Sequence, residues 1–250
     1  MSTFRIAGVI PARLASTRLS RKVLRPIAGR PMVEWVWRAA AASGLMEPVV
    51  VATDSEEVAE VCRARGIPVA MTSMECQSGS DRVREVARQI DADIYVNIQG
   101  DEPTLPPAIF QPLLAPFARP EVEVTTLAVP CPAHEINNPN AVKVVTALDG
   151  RALYFSRATI PFDRDGTGFL GYRKHLGIYA YRKAALERFA ALEPSRLERL
   201  ERLEQLRLLD NGISVYVADV LYDTIGVDTE EDLERAEVQL LASSSYLLAG

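Results

Sequence analysis

The sequence has 250 residues, 48% of them hydrophobic and 24% charged, with a formal net charge of −5 at pH 7. That length supports a full hydrophobic core, the composition excludes a disordered chain, and the acidic balance speaks against nucleic-acid binding through a basic surface. The longest uncharged stretch, 103–118, is too short to span a bilayer; no secretory cleavage site follows the apolar start, and Cys62, Cys76 and Cys131 lack disulfide-framework or zinc spacing.

In chain order, 4–10 reads as a buried strand and 31–43 as a helix with proline early and Gly44 just past its end. A strand at 48–52 precedes a helix capped by Asp54 or Ser55 and closed by Gly66. A short strand at 67–71, a helix at 81–89 and a strand at 94–98 complete a βαβαβαβ alternation, which implies a parallel sheet covered on both faces. The middle differs. Residues 121–129 alternate as a strand, and 142–146 and 152–155 flank Asp149-Gly150 as an antiparallel hairpin. The polar 163–171, with three glycines, reads as a mobile loop. A strand at 176–181, one long helix at 197–210, a strand at 213–218 and a helix starting near Thr229 finish the chain. The expected architecture is α/β, mostly parallel with helices on both faces, carrying a β-rich insertion at about 131–180.

In an open parallel sheet, ligands bind outside the carboxyl ends of the strands. The loop after Ile10 carries Arg13, Arg18, Arg21 and Lys22 among small residues, and it matches neither GxGxxG nor GxxxxGK[ST]. Its cations suit a triphosphate, or they form a solvated basic loop. Gln99-Gly100-Asp101-Glu102-Pro103 follows the fourth strand. Asp101 there is either a magnesium ligand facing the same crevice or part of an ordinary turn. Asp228-Thr229 caps the last helix, or Asp228 joins Asp101 at a metal-triphosphate site.

Val9 to Arg13 through Lys22 resembles the opening motif of the sugar-activating cytidylyltransferases, and Gln77 to Arg82 resembles the nucleoside segment of their 3-deoxy-manno-octulosonate (Kdo) branch. Asn97 to Pro103, Ala152 to Arg157, His175 to Tyr179, Leu203 to Leu206 and Gly226 to Asp232 are similar to the same branch, so the likeness covers nearly the whole chain. The resemblance implies the nucleotide-diphospho-sugar transferase fold, a cytoplasmic homodimer, and the reaction CTP + Kdo → CMP-Kdo + pyrophosphate in lipopolysaccharide biosynthesis. It divides the chain into a nucleotide-binding domain, 1–130 with 181–250, and an insertion, 131–180, for sugar binding and dimerisation.

The same resemblance assigns roles. Arg13 and Lys22 hold the triphosphate, Asp101 and Asp228 hold Mg2+, and Gln77, Ser78, Gly79 and Arg82 bind the nucleotide. Gln99, Arg157, His175, Tyr179, Glu204 and Gln205 face the sugar acid, with the Arg157 fork suited to its carboxylate. One departure stands out: the family has Pro-Gly before its loop lysine, and this chain has Ser20-Arg21. Glycine there allows positive φ, which arginine adopts less easily. A sister enzyme for an 8-amino-Kdo or a sialic acid, and a catalytically silent paralogue, are the alternatives.

Overall fold

The structure is a computed structural model describing residues 4–14, 19–76 and 78–242. In chain order the regular elements are β1 (Ile6–Pro11), β2 (Pro26–Ile27), β3 (Arg30–Pro31), α1 (Met32–Ala42), β4 (Val49–Thr53), α2 (Glu56–Arg63), β5 (Val69–Met71), α3 (Gly79–Gln89) and β6 (Ile94–Asn97). They continue with α4 (Phe110–Leu114), β7 (Val124–Pro130), β8 (Lys143–Thr146), β9 (Ala152–Ser156), β10 (Arg173–Arg182), α5 (Lys183–Ala190), α6 (Arg196–Glu201), α7 (Leu206–Asp210), β11 (Val215–Asp219) and α8 (Glu230–Ala242). The chain forms two compact units, one running to residue 111 and resuming at 224, the other spanning 112–223. The 131–180 segment lies within the second.

In the first unit β1 pairs in parallel with β4 and β6, and β4 with β5, giving the order β5-β4-β1-β6. The apolar runs of β4 and β6 are buried along their whole length, as strands covered on both faces must be. Helix α1 packs on β1 and β4, α2 on β4 and β5, and α3 on β1, β4 and β6. The connection through α3 runs back across the sheet, so right-handed crossovers put α3 on the face opposite α1 and α2. The strand order therefore reverses between β1 and β6, and the switch point lies at the carboxyl ends of those two strands. Ser55 caps α2, accepting from the Val58 N–H. Ser78 caps α3 in a reciprocal box with Asp81.

Helix α8 belongs to this unit. Ala236 and Leu240 pack with Val227 against Leu19, Ile27, Met32 and Trp35. Arg25 grips Glu230 with both terminal nitrogens at 2.7 and 2.8 Å, and the Ala28 N–H donates to Glu237 at 2.7 Å. A second hub is Glu34 on α1, whose buried carboxylate accepts from Arg30, Arg38 and Arg65 at 2.6–3.0 Å.

In the second unit β7 pairs in parallel with β11 and antiparallel with β10. The hairpin expected around Asp149-Gly150 is β8–β9; Gly150 holds its turn at φ +87°. The Asp163 carboxylate accepts from the Thr167 hydroxyl and the Phe169 N–H, each at 3.2 Å, within the irregular 163–171 loop. One expectation fails. The single helix at 197–210 is two short ones, α6 and α7, separated at Arg202, which takes the left-handed conformation at φ +55°. The break buries Leu203, Leu206 and Leu208 while Leu200 remains 78% exposed, so one straight leucine stripe does not describe the segment. Helices α4 and α5 had no expectation behind them.

Candidate active site

The carboxyl ends of β1 and β6 meet closely. A Cβ on Gly100 would lie 2.7 Å from the Pro11 carbonyl oxygen, so only glycine lets the turn after β6 pass the end of β1. The following residues are then laced to the segment that enters α8. The Val227 N–H donates to Asp101 O at 2.9 Å, the Ile225 N–H to Thr104 Oγ1 at 2.8 Å, and the Thr224 hydroxyl to Glu102 Oε2 at 3.0 Å.

These bonds bring Asp101 and Asp228 together from distant parts of the chain. Lys22, in the short 3-10 turn Lys22–Leu24, places Nζ 2.6 Å from Asp101 Oδ2 and 3.0 Å from Asp228 Oδ1. Burial disfavours the Lys22 ammonium, with only 13% of its side chain exposed, but the two carboxylates outweigh that and raise its pKa. The cap of α8 is made by other residues. Thr229 Oγ1 accepts from the Asp232 N–H at 3.2 Å, and the Asp232 carboxylate accepts from the Asp228 and Thr229 N–H groups at 3.1 Å. The Asp228 carboxylate itself meets Lys22.

Arg13 is exposed on the loop after β1. Residues 15–18 of that loop, and Gln77, lie outside the described residues. Arg21 stands at φ +54°, the left-handed conformation that the family's glycine would take without strain, and it pairs with Glu57. Gly79, in the first turn of α3, lies beside Pro11 and the Asn97 side chain. The Ser78 hydroxyl is engaged in capping α3. Arg82 is 4% exposed, and its guanidinium bonds Thr72 Oγ1 at 2.6 Å and Asp54 Oδ2 at 2.9 Å. It ties α3 to the chain leaving β4 and β5. Gln99 is half-buried, and its carbonyl accepts from the Glu102 N–H at 3.3 Å.

In the second unit the His175 and Tyr179 rings lie 5.4 Å apart, and Phe155 meets His175 edge-on at 5.0 Å. Burial lowers the His175 pKa to about 3. Burial also raises that of Tyr179, with the nearby Tyr181 and Glu204 adding to the effect. Glu204 and Gln205 stand at the entry to α7, Gln205 buried. The Arg157 guanidinium is held by three main-chain carbonyls. Its Nε donates to Glu201 O at 2.7 Å and its terminal nitrogens to Pro139 O at 2.9 Å and Arg202 O at 3.4 Å. Glu201 accepts from the Ser156 hydroxyl and the Arg157 N–H, while the fully buried Lys143 donates to Arg157 O, Asn138 O and Ala141 O at 2.6–2.9 Å. Sequence reasoning passed over both supports. Lysine scarcity, four against 24 arginines, was the one signal pointing to Lys143.

Among the described residues no group of three or more His, Cys, Asp or Glu side chains could hold a metal ion. No helix among them is long and apolar enough to cross a membrane. The profile of the Cytidylyltransferase family matches residues 7–218. The chain is 68% identical over 241 residues to a 3-deoxy-manno-octulosonate cytidylyltransferase of Acidobacterium capsulatum, covering 96% of this chain and 98% of the relative. It is 54% identical to the enzyme of that name in Koribacter versatilis, over 94% of this chain and 90% of the other. Among solved structures, a CMP:2-keto-3-deoxy-manno-octonic acid synthetase complexed with CTP superposes with a TM-score of 0.91 at 40% identity, covering 96% of this chain and 99% of the other. A 4-diphosphocytidyl-2C-methyl-D-erythritol synthase of Anaerococcus prevotii, at 13% identity and a TM-score of 0.62 over 95% and 98% of the two chains, shares the fold. The chain belongs to the cytidylyltransferase family, in its 3-deoxy-manno-octulosonate branch.

Proposed function

We propose that this protein activates Kdo: CTP + 3-deoxy-D-manno-octulosonate → CMP-Kdo + pyrophosphate. The supporting observation is the convergence of Asp101, Asp228 and Lys22 at the sheet's switch point, in a chain 68% identical to a relative named for that reaction. The anomeric hydroxyl attacks the α-phosphorus and pyrophosphate departs in line. Such a transfer needs positioning and charge neutralisation more than covalent help from the protein.

The residues fit a magnesium ion. Two carboxylates already share one cation, the Lys22 ammonium, and magnesium characteristically takes one or two carboxylates with substrate phosphates and water completing its shell. Asp101 and Asp228 would hold it, where it supplies polarisation of the α-phosphoryl group and a lowered pKa for the attacking hydroxyl. Arg13 and Lys22 bind the triphosphate and offset charge on the departing pyrophosphate. Gln77, Ser78 and Gly79 lie against the nucleoside, and Arg82 supports that segment from beneath. Gln99, His175, Tyr179, Glu204 and Gln205 face the sugar acid. Arg157 joins them if its fork exchanges main-chain carbonyls for the sugar carboxylate.

The working form is a cytoplasmic homodimer, with 131–180 contributing to sugar binding and to the interface. Phe162 and Leu170, 84% and 70% exposed in that segment, supply apolar surface for a second copy. The test is pyrophosphate release with CTP across Kdo, 8-amino-Kdo and a sialic acid, with and without Mg2+. Release with Kdo alone among the sugars supports the proposal. A preference for another acid transfers the activity to a sister reaction, and no release with any of them leaves a silent paralogue.

A further inference from the structure

Strand β10 is irregular where it carries His175 and Tyr179. Leu176 lies opposite Leu127 of β7, but the next pair in register is Tyr179 with Thr126, so the register shifts by two residues between Leu176 and Tyr179. In a regular strand residues four apart are separated by about 13 Å. The bulge instead draws the His175 and Tyr179 rings to 5.4 Å.

Thr126, fully buried, fills this bulge. Its hydroxyl lies 2.8 Å from Ile178 O, 3.1 Å from Leu176 O and 3.0 Å from His175 Nε2. A threonine hydroxyl has one proton, and carbonyl oxygens only accept. With that proton on a bulge carbonyl, the contact with the imidazole is a ring N–H donating to Thr126 Oγ1. The neutral ring is therefore the Nε2–H tautomer, and Nδ1 is its acceptor. Enclosure beside Phe155 and Tyr179 keeps the ring uncharged.

We propose that Thr126 is a positioning residue of the sugar site: it holds the β10 bulge and sets His175 with Nδ1 ready to accept a hydroxyl proton of the sugar acid. This rests on the reading that His175 faces that sugar. Thr126→Val removes the hydroxyl and keeps the shape, whereas Thr126→Ser keeps the hydroxyl. The chain has two histidines, His134 and His175, so imidazole 15N spectra are assignable by removing His134. Wild type and Thr126→Ser should show His175 protonated at Nε2, and Thr126→Val should shift toward the other tautomer. KM for Kdo should rise about tenfold in Thr126→Val, the scale of one hydrogen bond, with KM for CTP within about twofold and Thr126→Ser close to wild type.

A wild-type spectrum showing the Nδ1–H tautomer or an imidazolium at neutral pH overturns the proposal, whether or not the valine variant folds. So does a folded, active Thr126→Val with wild-type KM for Kdo, or a serine variant as impaired as the valine one. If wild type releases no pyrophosphate with any sugar acid, the functional reading fails first and the sugar role of His175 falls with it.

Discussion

Asp101 and Asp228 share one ammonium: Lys22 Nζ donates to Asp101 Oδ2 at 2.6 Å and to Asp228 Oδ1 at 3.0 Å. One carboxylate comes from the turn after β6 and the other from the entry to α8, and hydrogen bonds between 101–104 and 224–227 keep the two segments in register. The pair is therefore built as a unit and should fail as one.

Asp101→Asn and Asp228→Asn should each remove most magnesium-dependent turnover, and the double variant should be little worse than either. Their side chains are 34% and 43% exposed, so each single change should cost at most about 1 kcal/mol of stability. The double change should cost more than the sum, because it strips the part-buried Lys22 of both partners. Magnesium titrations of turnover and thermal unfolding of the three variants check this. Additive kinetic losses with an unshifted magnesium requirement would mean that the carboxylates act separately.

Lys22→Ala should lower turnover by about 2–4 kcal/mol of transition-state stabilisation, the scale for a preorganised charge donor, with the fold retained. The raised pKa gives a second readout. The pairing stabilises the folded state fully below the unfolded lysine pKa, about 10.4, and is lost only as pH rises through the higher folded value. The stability difference between wild type and Lys22→Ala should thus be flat from about pH 7 to 9. Circular dichroism and steady-state rates suffice, and wild-type turnover in the variant would reduce this loop lysine to a structural ion pair.

Much of this was legible before the fold was known. Buried parallel strands are continuous apolar runs, so β1, β4 and β6 and the helices between them stand out, and Asp149-Gly150 marks its hairpin. Asp228 was ambiguous because an Asp-Thr pair reads equally as cap or ligand, and the Thr229–Asp232 pairing that caps α8 is seen only in the folded chain. Arg82 sits in a nucleotide motif, yet burial against Asp54 and Thr72 is a long-range fact with no local signature. The break at Arg202 was hidden because leucine spacing records which residues can share a face, not where the backbone turns. Gly177, isolated in a strand pattern, was the unused signal for the β10 bulge.

Arg21→Gly should stabilise the protein. An L-residue in the left-handed conformation costs about 1–2 kcal/mol, and Arg21 sits at φ +54°. Its pairing with Glu57 joins side chains 60% and 40% exposed, so little is lost with it. Arg21→Ala keeps the backbone strain and loses the same ion pair. The glycine variant should therefore be about 1 kcal/mol more stable than the alanine variant, with turnover close to wild type. Urea unfolding of the two variants measures the difference directly. Equal stabilities would show that the loop relaxes around arginine, and a large loss of activity in both would place the Arg21 guanidinium on phosphate.

His175 should make stability fall with acid in a way that can be isolated. Burial lowers its pKa to about 3, whereas an imidazole in the unfolded chain titrates near 6.5. Between those values the unfolded chain binds a proton that the folded chain refuses. The ring's contribution is complete above about pH 6.5 and declines as pH falls toward 3, by up to about 1.4 kcal/mol per pH unit. His175→Gln removes this dependence and leaves every carboxylate in place, so their own acid titration cancels in the comparison. At neutral pH the variant should be less stable, having lost the ring's packing against Phe155 and its bond to Thr126. The deficit should narrow steadily as pH is lowered from about 6.5 to 4, and urea unfolding at a series of pH values gives the slope. A deficit that stays constant over that range would mean that the folded protein protonates His175 as readily as the unfolded chain does, and the imidazole would then lie open to water.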